Sequence, residues 1–196
     1  MLPSSEETLR LIHRYFDDTG LLFPYIHPHS FLETYQQFKN NAQKVRRTWL
    51  GLLNIMLAMA KVTDMPSDIP ADTRIKESTV YYRQALNLCQ GEILRGTTLE
   101  VGKFSYGTIS SLLRLTSFLV QFLLLMGQYL QGTQKSVQAW TMHGLAVKAA
   151  LQLGLHSKDA SLAFSHVELE TRKRTWFGCV VLDRYTPRGA YICTPS

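Results

Sequence analysis

The sequence holds few side chains of the types that catalyse reactions or bind metals. His27 and His29 flank Pro28, a pair that would suit a metal ion. Two histidines without a third ligand nearby are more often loop or packing residues. Asp17 and Asp18 are adjacent, but neighbours on a helix point about 100° apart, so their carboxylates are not expected to share a site. Neither pair predicts a metal or an acid–base site.

The cysteines and the sequence motifs give no sign of catalysis either. Cys179 lies among apolar residues beside Asp183 and Arg184, a setting more typical of a small core residue than of a nucleophile. The three cysteines, which include Cys89 and Cys193, form no C-x-x-C pair, and this argues against a disulfide framework or a zinc site. Nucleotide-binding loops, serine-hydrolase elbows and zinc-protease motifs are absent. We therefore predict no enzymatic activity and no catalytic, cofactor-binding or metal site.

Composition predicts one domain, or part of a larger one, in a reducing compartment. The chain has 196 residues, 45% of them hydrophobic, and a net charge of +6. The basic clusters Arg46–Arg47 and Arg172–Lys173–Arg174 fall in helical patterns and are predicted to be solvated helix faces rather than a nucleic-acid patch. The apolar run Ser117–Leu130 is shorter than the about 20 residues that cross a bilayer, and glutamines interrupt it.

Apolar residues recur at three- and four-residue spacing along nearly the whole chain, which predicts an all-α fold of about seven helices. Ser4 with Glu7, and Ser30 with Glu33, form capping boxes that start two of them, and Gly20 is expected to end the first. The later helices are predicted at about Lys44–Lys61, Ala71–Leu94, Ile109–Gln131, Thr133–His156 and Val167–Arg184.

Three stretches carry motifs in a fixed order. The first, from Leu2, has an aromatic, a Phe-Pro, a His and a closing Phe, at Phe16, Phe23, Pro24, His27 and Phe31. The second has matches at Trp140, Gly144, Ala146, Ala149, Leu153, Gly154, Leu155 and His156. The third has matches at Glu168, Arg172, Arg174, Trp176, Leu182, Asp183 and Arg184. Together they resemble the fungal-specific transcription factor domain, the helical middle region of fungal regulators that carry a six-cysteine binuclear zinc cluster.

The resemblance implies that residues 1–184 form an irregular helical regulatory domain, C-terminally incomplete, of a nuclear protein that regulates transcription by RNA polymerase II. It implies DNA contact and zinc only for an N-terminal cluster that three cysteines cannot build, so no cofactor is expected in this chain. Protein partners or a small-molecule effector are implied, and a membrane partner is not. The alternative is a stand-alone helical interaction scaffold without a DNA role.

The motif residues are expected to be mostly architectural. Gly and Ala positions would allow close helix packing, Trp140 and Trp176 would fill a core, and Asp183 with Arg184 would join a buried or rim charge network. If the domain stops at Arg184, the helices of both tryptophans lose the later helices that cover them in the family. We therefore expect exposed hydrophobic surface and poor solubility when the chain is expressed alone.

Two segments depart from the family pattern. Residues 102–119 interrupt what would otherwise be one clean amphipathic helix, and either a retained intron or an ordinary insertion explains them. Residues 185–196 match no family motif and are predicted to be disordered. Reading through a second intron, a truncated gene model and a degenerate paralogue are the alternatives for this tail. Sequencing the transcript decides the origin of the first segment.

Overall fold

The structure, a computed structural model, describes residues 2–64, 70–95, 106–157 and 164–185, and every regular element within these ranges is helical. The elements are α1 (Ser5–Asp17), α2 (Thr19–Leu22), α3 (Pro28–Lys39), α4 (Arg47–Thr63), α5 (Ala71–Arg95), α6 (Tyr106–Gly132), α7 (Ser136–Gln152) and α8 (His166–Tyr185). Because α2 is a single turn of 4 residues, seven longer helices remain. The predicted all-α class is confirmed.

The first helix starts at the predicted cap, Ser4, but the Glu7 side chain does not complete the capping box. Ser4 Oγ accepts from the Glu7 amide at 3.2 Å, as expected of a cap. The prediction that the Glu7 carboxylate reaches back to Ser4 is wrong. It pairs instead with Arg10 Nε at 2.8 Å and Lys61 Nζ at 3.1 Å. Two cations bind a carboxylate more strongly than one exposed amide does, and the pairing ties α1 to α4.

The prediction that Gly20 ends the first helix is wrong. The helix ends at Asp17, and the Asp18 amide still donates to the Arg14 carbonyl at 3.1 Å. Gly20 lies inside α2, where a Cβ atom would stand 3.1 Å from the Tyr15 carbonyl oxygen. The glycine therefore lets α2 turn closely against the end of α1 rather than stopping α1.

The prediction that a capping box at Ser30 and Glu33 starts the third helix is also wrong, because the helix begins before Ser30. Its first residue is Pro28, whose fixed φ suits the first helical position. His27 is the cap, since its Nδ1 accepts from the Ser30 amide at 3.3 Å. The His–Pro–His sequence thus starts a helix.

Two helices form the centre of the core. Residues 51–60 of α4 and residues 119–127 of α6 are buried on every side, as in helices that neighbours surround completely. The α4 helix packs most extensively against α5 and α6 against α7, while α4 also contacts α1 and α6. The last helix, α8, packs against α7 and α6. Among the described residues, no helix combines the length and apolarity needed to span a membrane.

The two departures from the family pattern are described only in part. Residues 106–119 continue into the rest of α6 without a break in the helix, whereas residues 102–105 lie outside the described ranges. A helical backbone is compatible with either origin, so the retained intron and the ordinary insertion both remain open. The tail after Tyr185 lies outside the described residues, and its disorder stays a prediction.

The apolar surface of α7 and α8 is largely uncovered. Trp140 is 56% exposed, so the prediction that it fills a core is wrong, while Trp176 is partly buried against the core. Gly144 does not serve close packing either, because no described atom lies within 4 Å of where its Cβ would be. The other large exposed apolar residues of these two helices are Val137, Leu151, Val167, Phe177 and Val181. The expected exposed hydrophobic surface is thus present, and poor solubility stays a prediction.

The ion pairs between α1 and α4 give stability a defined pH dependence. Arg10 and Lys61 lower the pKa of Glu7 from 4.5 to about 2. A carboxylate with a lowered pKa in the folded state adds stability above its unfolded pKa and loses that contribution as pH falls through the folded value. We therefore expect Glu7→Gln to lower stability by at most about 1 kcal/mol at neutral pH, since the pair is partly solvated. The difference from wild type should vanish between pH 4.5 and about 2 in urea titrations. A difference that persists at pH 2 would contradict this.

Candidate functional site

One cleft brings together parts of the chain that are far apart in sequence. It lies between α3 with its preceding loop, the start of α4, the middle of α6 and the start of α8, and we call it the α3–α8 cleft. Its volume is about 800 Å³. That is within the range of roughly 300–1,000 Å³ typical of small-molecule sites.

Aromatic rings form one wall of the α3–α8 cleft. Phe31 and Trp49 are buried and stacked, with ring centroids 5.0 Å apart and an interplanar angle of 23°. Phe38 also packs against Trp49, with ring centroids 5.8 Å apart. The His27 cap fixes where α3 begins and therefore where Phe31 points. The tryptophan is thus buried in the protein rather than presented for stacking on nucleic-acid bases.

The start of α8 forms the opposite wall. Glu168 accepts from both the amide and the hydroxyl of Ser165 at 2.9 Å, and the Glu168 amide points back to the same hydroxyl at 3.4 Å. This is a reciprocal capping box that fixes the first turn of α8. The next turns of the helix then carry Arg172 into the cleft wall.

Arg172 is buried, which corrects the prediction that the cluster Arg172–Lys173–Arg174 is a solvated helix face. Lys173 and Arg174 are exposed, but Arg172 is only 7% exposed. Its Nη2 donates to the Leu153 carbonyl at 3.2 Å and its guanidinium lies 4.6 Å from the ring centroid of Phe164. Within the described residues Nη1 has no hydrogen-bond partner. Burial lowers the pKa of Arg172, and the nearby Glu168 opposes that shift.

Gln121 of α6 is the second buried polar group in the lining. It is 2% exposed, and its Nε2 donates to the Tyr25 carbonyl at 2.7 Å. Because a carbonyl oxygen only accepts, this bond fixes which end of the amide is nitrogen. The other end, Oε1, is a buried acceptor with no partner among the described residues.

The predicted motif residues divide between the cleft and the rest of the domain. His27, Phe31, Glu168 and Arg172 line the α3–α8 cleft. Phe23 and Pro24 lie just before α3, with Phe23 against Tyr25 at 6.1 Å between ring centroids. Ala146 and Leu155 are buried in the core, and Trp176 is partly buried against it. The remaining members lie at the surface or at the end of α7, namely Trp140, Gly144, Gly154, His156, Arg174, Asp183 and Arg184.

Several of these outer members have structural contacts. Gly154 has a φ of 61°, a conformation that favours glycine, and it ends α7. The rings of His156 and Trp176 lie 5.7 Å apart between α7 and α8. Asp183 is an exposed rim residue whose Oδ1 lies 3.7 Å from Nε2 of the buried His143.

The exposed part of the basic cluster forms an ion pair along its own helix. Arg174 binds Glu170 at 2.9 Å, four residues earlier on α8. Arg184 is exposed, so it adds nothing to a buried network.

The residues of catalytic type stay apart. Cys179 is buried, and desolvation raises its pKa to about 12, as expected of an unreactive core thiol. Asp18 pairs with Arg14 at 2.6 Å rather than with Asp17. In the described part of the chain, no three His, Cys, Asp or Glu side chains are placed to hold a metal. Since Cys89 and Cys179 lie on α5 and α8, they do not fit a binuclear zinc cluster.

Sequence reasoning missed Gln121 and the burial of Arg172. Gln121 is noticeable in the sequence only as a polar interruption in the apolar run of α6. A signal existed for Arg172, because Thr175 follows it by three residues and Cys179 follows Thr175 by four, and both are buried. That spacing places the arginine on the inner stripe of α8.

Relatives of this chain are transcription factors. A relative described as "Transcription factor FBD3" from Gibberella moniliformis is 35% identical over 184 residues, covering 93% of this chain and 22% of that protein. Its namesake from Fusarium pseudograminearum is 33% identical, with 93% and 21% covered. An "ABC-transporter-regulating transcription factor" from Aspergillus oryzae is 24% identical, with 93% and 18% covered. The chain thus spans about a fifth of the length of these relatives.

These comparisons support the transcription hypothesis, and nothing in them supports the stand-alone scaffold. No solved structure matches the chain significantly. The family described as "Fungal specific transcription factor domain" matches residues 12–186, nearly the whole chain. That range contains most of the first motif stretch and all of the second and third, in the order in which the sequence presents them. The chain therefore belongs to the fungal-specific transcription factor domain family.

Proposed function

We propose that this chain is the regulatory domain of a nuclear fungal transcription factor and modulates transcription by RNA polymerase II without reading DNA itself. The observation that carries the proposal is the family match across residues 12–186. Relatives named as transcription factors align over 93% of the chain, which supports the same role. The proposed role does not involve catalysis.

DNA reading and zinc binding belong, in this proposal, to a cysteine cluster outside these 196 residues. The buried positions of Cys89 and Cys179 on different helices support that division. The domain needs no cofactor of its own. Its partners are other proteins or a small-molecule effector, and the α3–α8 cleft offers a place for the latter.

A reporter assay tests the regulatory role. The chain is fused to an unrelated DNA-binding module with a nuclear-localisation signal, upstream of a reporter gene in a fungal host. We expect reporter output to differ from that of the module alone. The matched control carries Leu124→Asp, because Leu124 is fully buried in α6 and a charge there unfolds the domain. Equal output from the module alone, the fusion and the control, at equal protein levels, would contradict the proposal.

A binding measurement tests the absence of DNA reading. We expect the isolated chain to bind duplex DNA only weakly and without sequence preference. Tight binding with a steep dependence on salt concentration would show that its basic residues neutralise several phosphates. That outcome would overturn the division of labour between this domain and a separate zinc module.

A further inference from the structure

One face of α7 carries apolar residues and a glycine at the spacing of a helix that packs along a second helix. Val137, Trp140, Gly144, Val147 and Leu151 follow one another by three and four residues, the heptad spacing of a coiled-coil seam. Val137 is 68%, Trp140 56% and Leu151 47% exposed, Gly144 is exposed and Val147 is partly buried. We call these five residues the α7 seam. A regular apolar row that stays this exposed is typical of a surface that binds protein.

Gly144 lies at the middle of the α7 seam, where the described part of one copy makes no use of a glycine. The residue is inside the helix, and a Cβ atom there would meet no described atom within 4 Å. Glycine is less favourable than alanine inside a helix, and it is useful where another group must come close to the backbone. The glycine therefore indicates that a bulky group from outside this copy packs against α7.

The order of large and small residues along the seam fits a second copy of α7 that runs in the opposite direction. If a twofold axis passes midway between Trp140 and Gly144, each of these residues lies opposite the other in the second copy. The same axis places Val137 opposite Val147, and every contact occurs twice. The next register would place Trp140 opposite Leu151 and leave Gly144 facing a valine, so the space at the glycine would stay empty. Size thus selects the first register, in which a large side chain enters each hole.

The charge of the seam also fits a second copy. Residues 136–147 contain no Asp, Glu, Lys or Arg, and Lys148, the one such residue of α7, would lie opposite Ser136 of the second copy. Asp183 of α8 lies at the rim of the seam, 3.7 Å from His143. A charged segment would lose hydration on this face without gaining an ion pair along the seam. An uncharged helix face, such as α7 itself, has no such penalty.

We infer that the chain forms a twofold-symmetric dimer in which the α7 helices of two copies pack antiparallel along the α7 seam, with Trp140 of each copy against Gly144 of the other. The exposed seam offers only a few hundred Å² on each copy, and interfaces of that size are weak. The dimer is therefore reversible, with a dissociation constant in the micromolar range. This inference does not rest on the proposed function, and its failure would leave that function standing.

Sedimentation equilibrium of the full chain tests the dimer, at concentrations from about 1 to 100 μM. The mass is expected to rise from one copy to two and to stop there. Trp140→Gly removes the large side chain and Gly144→Trp fills the hole, so each should raise the dissociation constant at least about tenfold. Leu21→Ala is the matched control, because Leu21 is 73% exposed but lies on α2, which packs against α1 and α4. The control should associate as wild type does.

Mixing the two variants distinguishes the proposed contact from a general loss of apolar surface. In a dimer of one Trp140→Gly copy and one Gly144→Trp copy, both tryptophans face glycines. The mixture should therefore associate about as tightly as wild type, although neither variant does so alone. Circular dichroism at low concentration checks that each variant is folded. A disulfide between Val137→Cys in one copy and Val147→Cys in the other, with Cys193→Ser in both, should form on oxidation and identify the antiparallel register.

Three results would overturn the inference. One is a chain that stays monomeric up to about 100 μM, which would leave the α7 seam to a segment outside these 196 residues or to another protein. Another is a mass that grows beyond two copies without limit, which would be non-specific aggregation. The third is a mixture that associates no more tightly than the separate variants.

Discussion

Replacing Phe122 with alanine is expected to lower the free energy of unfolding by about 3–5 kcal/mol, the usual cost of truncating a fully buried phenylalanine. Phe122 is 0% exposed and lies in the stretch of α6 that is buried on every side. Part of this loss is the favourable free energy of transferring the ring out of water. The rest comes from the cavity left behind, which the surrounding helices cannot close. Because domains of this kind have only about 5–15 kcal/mol of stability, the variant should be close to unfolding.

Urea titrations followed by far-ultraviolet circular dichroism measure this effect, at low protein concentration to limit association. Phe177→Ala is the matched control, because Phe177 is the same residue type on α8 but is 53% exposed. The control is expected to change stability by no more than about 0.5 kcal/mol. Equal losses in the two variants would mean that α6 is not the centre of the core.

Replacing Gly51 with alanine is expected to lower stability by about 1–3 kcal/mol, the cost of overpacking a core. Alanine is intrinsically the better helix residue, by up to about 1 kcal/mol. The steric term wins here because the new Cβ would overlap Sγ of Cys89, which is itself 0% exposed on the neighbouring α5. Because Cys89 is fully buried, its sulfur can move aside only against other buried atoms.

Two further variants separate packing from helix propensity. Gly144→Ala, in the middle of α7, meets no described atom within 4 Å and should stabilise the protein or leave it unchanged. Combining Gly51→Ala with Cys89→Ala removes the overlapping sulfur, so the double variant should be no less stable than Cys89→Ala alone. A coupling energy near zero between the two sites would rule out the overlap as the cause.

The fold was predictable because its main signal is local. Apolar residues at three- and four-residue spacing mark seven long helices, and their observed limits differ from the predicted ones by only a few residues. The helix ends were less predictable, since His27 caps α3 although histidine is not among the usual cap residues. Gly20 looked like a stop because glycine often ends helices, yet its role depends on how closely α2 returns to Tyr15.

The candidate site depends on contacts that are not local in sequence. Gln121 is fixed by Tyr25, which lies 96 residues earlier in the chain. Gly51 matters because of Cys89, and no pattern within α4 reveals that neighbour. Arg172 could have been placed on the buried stripe of α8 from its spacing to Thr175, but the charge cluster around it favoured a surface assignment. The cleft therefore became visible only once the helices were packed.

The complete burial of residues 51–60 in α4 has a consequence for how the domain can respond to a signal. Backbone amides in such a segment exchange their hydrogens with water only when the surrounding helices detach, so their exchange rate should report global unfolding. Helices near the surface, such as α7 and α8, can shift without that cost. A response to a bound molecule should therefore consist of rigid-body movements of the outer helices relative to α4, which stays fixed at the centre of the domain.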